Sequence, residues 1–268
     1  MNSYGVLETE TEHDDLSLKV EHLRNLGYTT LDSNFALEKI AEIRQKSQVV
    51  ADRYIELYGH HDLDGLGESN SYRSPALIDQ SFFEIASHSK LQELVGRLIT
   101  GKFYLNQQNL VINPPMSKNY TQLKYHRDLP YQHYVSSRPL AINALYAVDD
   151  FTFENGATFV IPASHKVEKF PTQSYLESTQ LQVTVKAGTF LVLDCMLYHA
   201  AAPNLSKNAR IGLNHVFTSV MFAPQINWKT SLEEMDVPSS ESITELLGLN
   251  FTSPQNVDEY LRRRKNRN

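Results

Sequence analysis

Phe103-Tyr104-Leu105-Asn106-Gln107-Gln108-Asn109-Leu110-Val111-Ile112 sets aromatic and β-branched residues among polar ones, the texture of a strand rather than of a helix. Similar short runs follow, bounded by Pro, Gly, Asn and Asp: Thr121 to Tyr125, Leu140 to Val148, Ala157 to Ile161, Leu181 to Val185, Thr189 to Leu193 and Arg210 to Phe222. Upstream the period changes. Leu16 to Leu26 carries apolar residues at helical spacing and Gly27 is placed to end that helix. Gly27 to Leu31 reads as a short strand. Leu37, Ile40, Ile43, Val50 and Leu57 predict a longer helix over Asn34 to Tyr58, and a loop rich in Gly, Asp and Ser is expected from Gly59 to Ser74. Ala76 to Ile99 reads as helical again, broken near Ser87 to Ser89. Helices followed by many short strands is an α+β, mainly β order, with a sandwich or closed barrel expected to supply the core. We expect a flexible N-terminus over 1–15 and a single domain over 16–268. That domain has a helical part to about residue 100 and a C-terminal extension from about 223.

Composition narrows the function. Apolar residues make up 41% of the chain and charged residues 21%, enough to bury a core. The net charge of −6 argues against nucleic acid or an anionic membrane surface as partner, since both select basic surfaces. The run Arg262, Arg263, Arg264, Lys265 and Arg267 reads as a solvated tail. Cys195 is the one cysteine, so no intrachain disulfide can form and a reducing compartment fits. It lies in the apolar run Phe190 to Leu197, where a buried structural thiol is expected. No signal-peptide pattern and no span of about 20 apolar residues is present, which makes a cytoplasmic location the expectation by elimination.

The chemistry is carried by Tyr125-His126-Arg127-Asp128. In a regular strand residues i and i+2 share a face, so His126 and Asp128 can converge on one ion. His199, after the apolar strand and before the turn-prone Ala202-Pro203-Asn204, is the best candidate for a third ligand. Two imidazoles and a carboxylate form a facial triad with open positions, the arrangement of oxygen-activating iron(II) sites. The pair His-x-Asp is a weak signal alone. Arg210 strengthens it: eleven residues beyond His199 and opening the next strand, its guanidinium could grip a carboxylate through two parallel hydrogen bonds. An isolated arginine would otherwise be read as a surface residue.

Val111-Ile112-Asn113-Pro114-Pro115, then His126-Arg127-Asp128, then Asp149-Asp150 with Glu154-Asn155-Gly156-Ala157-Thr158-Phe159-Val160-Ile161-Pro162-Ala163-Ser164-His165-Lys166, and last His199 to Asn204 with Ser206 to Arg210, occur in this order. Over Leu16 to Phe222 the chain resembles the phytanoyl-CoA dioxygenase superfamily of iron(II)- and 2-oxoglutarate-dependent oxygenases. The resemblance implies a double-stranded β-helix, a cupin-like jelly roll with N-terminal helices packed on one side. It implies Fe(II), 2-oxoglutarate and O2 as cofactor and co-substrates, with His126, Asp128 and His199 as metal ligands and Arg210 on the far carboxylate of 2-oxoglutarate. Thr158 falls where related enzymes place a hydroxyl near the same group, and Gln107 and Asn109 match positions facing the co-substrate. One residue of strand slip would turn both of these away. The implied reaction hydroxylates or otherwise oxidises a small molecule, giving succinate and CO2. The substrate could be a natural-product intermediate, an amino acid derivative or an acyl derivative.

Departures from the family pattern are Ala163 where glycine is usual, Ala201 where a serine often stands, and Leu145 where several members carry tryptophan. Asp128 is retained where related halogenases carry a small residue, which favours hydroxylation over halogenation. His165 reads as a structural residue, His215 as either a core group or a cavity residue, and His60-His61-Asp62 as a solvated turn. Tyr72, Arg73, Arg127, Tyr131, Tyr134 and Arg138 lie in segments that could border the mouth of the site, where recognition loops vary. Two other readings stay open: a jelly-roll iron enzyme that dispenses with 2-oxoglutarate, favoured if Arg210 points away from the metal, and a non-catalytic small-molecule-binding module. The oligomeric state is not legible in the sequence.

Overall fold

The computed structural model describes residues 6, 13–116, 120–129, 134–251 and 253–266. Most of the expected N-terminal tail, together with Tyr131, His133 and Arg267, lies outside the described residues. The first helix, α1 (Ser17–Leu26), buries Val20 and Leu23 on one face. Gly27 ends it at φ +85°, its N–H bonding to Leu23 O at 2.9 Å. A Cβ at Gly27 would sit 2.5 Å from His165 Nδ1, so both the left-handed turn and the close approach require glycine. β1 (Tyr28–Asp32) and α2 (Leu37–Tyr58) follow, with Ile43, Ser47, Val50 and Ala51 forming the buried stripe of α2.

The expected loop from Gly59 to Ser74 instead contains α3 (His60–Leu66) and the edge strand β2 (Ser71–Arg73). Gly59 (φ +77°) stops α2 and Gly67 (φ +73°) caps α3. Only Leu63 of α3 is buried, so the short helix leaves almost no apolar period to read. Next come a 3-10 turn (Pro75–Leu77), α4 (Ser81–Ala86) and α5 (Ser89–Leu98), the helical region breaking at Ser87-His88 as predicted.

The large sheet has six antiparallel strands in the order β1, β7 (Thr189–Asp194), β4 (Ala141–Ala147), β9 (Arg210–Ser219), β3 (Phe103–Asn113), β2. Its two faces alternate as the pleat demands. Ile142, Ala144, Tyr146, Phe190, Val192, Leu213 and Phe217 join the helices in the main core. Asn143, Leu145, Leu191, Leu193 and Asn214 face the other way, toward the small sheet of β6 (Leu181–Val183), β5 (Thr158–Val160) and β8 (His199–Ala201). A short helix, α6 (Gln173–Thr179), precedes β6. After β9 the chain forms α7 (Trp228–Glu234), α8 (Glu241–Leu246) and α9 (Val257–Lys265). Trp228 docks this extension, donating from Nε1 to Leu105 O at 2.9 Å beside the bulge in β3. Arg262 to Lys265 of the basic run lie on α9, mostly exposed, with Arg263 paired to Glu259.

The expected closed jelly-roll barrel is not formed. The described strands make two open antiparallel sheets, of six and three strands, with the N-terminal helices packed on the large one. The missing closure has a local cause. Thr121 to Tyr125, predicted as a strand, is a 3-10 turn (Thr121–Leu123) that runs into a segment touching β8 through one isolated bridge, His126 to His199. Asp128 N–H then bonds to Cys195 O rather than continuing along β8, so the ladder ends after a single pair. No helix among the described residues is long and apolar enough to cross a membrane.

Candidate metal centre and co-substrate cavity

That single bridge creates the site. His126 and His199 exchange both backbone hydrogen bonds, at 3.0 and 3.1 Å, so their side chains leave the same face of the pair. The ring centroids lie 4.4 Å apart. Each imidazole is held in the same way: His126 Nδ1 is 2.8 Å from Lys124 O and His199 Nδ1 is 3.0 Å from Leu197 O. A carbonyl only accepts, so Nδ1 carries the proton and each Nε2 presents a lone pair. Asp128 Oδ1 is 3.7 Å from His199 Nε2. One ligand atom from each of the three residues falls within 4.8 Å of the others, and among the described residues no other group of His, Cys, Asp or Glu converges in this way. Burial, with the neighbouring His199 imidazole, lowers the pKa of His126 while the Asp128 carboxylate opposes it, so the ring is held neutral as a ligand must be.

Asp128 is itself fixed. Asn143 Nδ2 donates to its Oδ2 at 2.8 Å, and its backbone N–H is bonded to Cys195. The Cys195 thiol is fully buried, and burial foremost, with the nearby Asp128 and Asp194 carboxylates, pushes its pKa well up, so it stays S–H. It is thus the buried, unreactive thiol expected, although it touches the site.

The imidazoles open onto a narrow cavity of about 50 Å³ between the two sheets. Arg210, Tyr120 and Thr158 line it together with His126, His199 and Asn143. Arg210 is 3% exposed and stacks 4.1 Å from the Phe151 ring, yet its Nε and Nη1 have no hydrogen-bond partner among the described residues. Burial lowers its pKa, with Tyr120 and Asp149 opposing. Tyr120 is buried as well, and desolvation pushes its phenol up to about 12, so it stays a donor at neutral pH. Gln107 and Asn109 share the face of Val111, which lines the cavity, but Asn109 Nδ2 is 3.3 Å from Gln107 Oε1 and neither residue lines the cavity itself. Ala201 and Leu145, two of the departures from the family pattern, both line it. A larger cavity, about 860 Å³, lies under the C-terminal helices near Trp228 and Arg263 and contains none of the convergent groups.

Sequence reading missed Asn143, Asn214, Tyr120 and Gln122. The available signal was a carboxamide at an inward position of an otherwise apolar strand, in Ala141-Ile142-Asn143-Ala144 and Gly212-Leu213-Asn214-His215. His215 turns to the helix side of β9, fully buried, with Nδ1 3.0 Å from Ala144 O. His165 reaches Arg24 O through Nε2 and sits over Gly27. Burial takes both pKa values down to about 4, and both rings serve the core. His60, His61 and Asp62 lie on exposed α3. Of the residues considered for the mouth, Arg127 turns away from the cavity to the carbonyls of Ser164 and Val167 and the ring of Tyr198. Tyr72 is buried, Arg73 pairs with Glu68 and Arg138 reaches Thr100. Tyr134 is exposed.

Comparison with known proteins agrees with this geometry. The family model for phytanoyl-CoA dioxygenase matches residues 23–212. The uncharacterized protein Rv1501 of Mycobacterium tuberculosis is 29% identical over 259 residues, 95% of this chain and 93% of that protein. Dioxygenase andF of Emericella variicolor is 25% identical over 70% of this chain and 68% of its own. Among solved structures, EctD from S. alaskensis in its apoform is similar in fold, with a TM-score of 0.64 at 20% identity over 83% of this chain and 86% of that one. The epimerase SnoN, solved with Fe3+, alpha ketoglutarate and nogalamycin RO, gives 0.60 at 15% identity over 84% and 91%. With a matching family model over most of its length and a convergent two-histidine, one-aspartate cluster, the chain belongs to the phytanoyl-CoA dioxygenase family and is an iron(II)- and 2-oxoglutarate-dependent dioxygenase acting on a small molecule.

Proposed function

We propose that His126, Asp128 and His199 hold the iron, that Arg210 receives the far carboxylate of 2-oxoglutarate, and that the product is a hydroxylated small molecule. One observation carries this reading: the imidazoles and an unpartnered buried guanidinium line the same cavity. The donor set fits the metal, since two neutral nitrogens and a carboxylate suit a divalent iron and leave positions for other ligands. The cavity fits the oxo-acid, because a buried guanidinium with two free N–H groups is complete only when an anion arrives. When bound, iron with 2-oxoglutarate and O2 supplies an oxidant for an unactivated C–H bond and releases succinate and CO2.

The chain's own residues do the rest. Lys124 and Leu197 carbonyls fix the tautomer of each imidazole before any metal enters. Phe151 holds the Arg210 plane, while Tyr120 and Thr158 offer hydroxyls beside it. Val111, Leu145 and Leu193 supply apolar wall to a cavity otherwise lined mainly by polar side chains. A natural-product intermediate is favoured as substrate by the likeness in fold to SnoN, whose structure holds nogalamycin RO. Because Arg210 faces the cavity, a 2-oxoglutarate-independent reaction has no support.

Anaerobic titration with iron(II) and then 2-oxoglutarate should produce a weak visible charge-transfer band without any knowledge of the substrate. Asp128→Ala should abolish the band, and turnover retained in that variant would overturn the assignment. Succinate formation stimulated by individual compounds then identifies the substrate.

A further inference from the structure

The two histidines are held by backbone carbonyls, but the Asp128 carboxylate is held by a side chain. Asn143 donates to Oδ2 at 2.8 Å, while Oδ1 is the oxygen 3.7 Å from His199 Nε2 and so the one turned to the cluster. The amide cannot be reversed, because a flipped Asn143 would set its own oxygen against a carboxylate oxygen. Its backbone cannot shift easily either, since β4 is paired on both edges, Asn143 opposite Leu193 on one side and Val216 on the other. A stability argument does not explain the residue: Asn143 is 2% exposed and its Oδ1 has no partner among the described residues, a standing cost that an apolar side chain would remove.

Resting on the triad reading above, we infer that Asn143 is a positioning residue that holds Asp128 as a one-oxygen metal ligand, keeping adjacent coordination positions open for the oxo-acid and O2. A carboxylate that binds a cation through both oxygens must present both at similar distances. A charge-assisted hydrogen bond on Oδ2 opposes that rotation and leaves Oδ1 alone to face the metal.

The test measures metal binding without turnover. Asn143→Leu keeps the branching of the side chain and removes its donor, and Asn143→Ala covers the case in which leucine overfills the site. Mn(II) affinity is read from the electron paramagnetic resonance signal of free ion, coordination from the visible absorption of the Co(II) form, and the fold from apo-protein melting. Mn(II) affinity should fall about tenfold or more in both variants. The Co(II) spectrum should change, and apo melting should hold or rise. Affinity within twofold of wild type with an unchanged Co(II) spectrum in both variants would overturn the inference. So would a fall in apo melting that tracks the loss of affinity, the mark of a merely structural residue. Asp128→Ala separates the two readings: if it binds Mn(II) as tightly as wild type, the triad fails and this inference with it. If Asp128→Ala is weak but both Asn143 variants bind normally, only the role of Asn143 is lost.

Discussion

Arg210→Met should make the apo protein more stable and deaf to 2-oxoglutarate. Without an anion, Arg210 is a 3% exposed cation whose Nε and Nη1 are unpartnered among the described residues, compensated by the Phe151 ring at 4.1 Å and by the field of Asp149 and Tyr120. Each buried unsatisfied donor costs about 1–3 kcal/mol. The stacked ring returns about 1–2 kcal/mol. Replacing the side chain by an apolar one of similar length should therefore gain about 2 kcal/mol, or about 4–8 °C in melting temperature for a chain of this size. Wild type with Mn(II) and 2-oxoglutarate at a hundred times its Kd should in turn gain about 2.7 kcal/mol, and the variant nothing. Urea unfolding with and without the oxo-acid, Mn(II) present throughout, measures both numbers. A variant less stable than wild type by 2 kcal/mol or more, or one still stabilised by 2-oxoglutarate, would refute the reading of Arg210 as a site kept for an anion.

Ala163 sits at φ +63°, a left-handed turn that costs an L-residue about 1–2 kcal/mol, so Ala163→Gly should raise the urea midpoint by the equivalent of about 0.5–1 kcal/mol after the added chain entropy is subtracted. Gly156→Ala should cost about 3 kcal/mol in the same assay, because its Cβ would meet Ala202 O at 2.3 Å at φ +82°. His215 titrates at about 4 in the fold against 6.5 unfolded, so the unfolded chain binds more protons between those values. Its contribution is complete above pH 6.5 and is lost as pH falls toward 4, by up to about 3 kcal/mol, and His215→Met should flatten that part of the stability profile. Asp194 has the opposite sign: burial raises its carboxyl from 3.8 to about 6, so it lowers stability as pH rises through that range. Asp194→Asn should accordingly stabilise at pH 8 and change little at pH 4.

The helices before residue 100, α3 apart, and the strands of the large sheet other than β2 were legible because their periods were unambiguous. Gly27 marked the end of α1 by the left-handed turn that only glycine fills cheaply, and β4, β7 and β9 showed themselves as apolar, β-branched runs. Short elements were illegible. With one buried residue, α3 has no period, and β8 is three residues long. Thr121 to Tyr125 has strand-like residue types, yet that preference reflects packing on a pleated surface, and the chain there packs as a turn instead. The closed barrel was inferred through the resemblance and failed at this segment. Asn143 and Tyr120 were missed for a different reason: each matters through a partner distant in sequence, Asp128 or Arg210, and no local pattern records such a contact.

The same departure from regular β-structure that opens the barrel also aims the ligands. Continued pairing of the His126 segment along β8 would set residue 128 opposite residue 197, on the face of His126 and one pair further along. Instead the Asp194 to Leu197 turn, closed by Leu197 N–H to Asp194 O at 2.8 Å, presents Cys195 O to the Asp128 N–H and pulls the chain aside. Asp128 thereby comes 3.7 Å from His199 Nε2 and into reach of Asn143 on the large sheet. One regular pair supplies the two imidazoles, and the break immediately after it supplies the carboxylate. The strand pattern read over Thr121 to Tyr125 therefore fails just before the residues that converge, where the chain leaves regular pairing after one bridge.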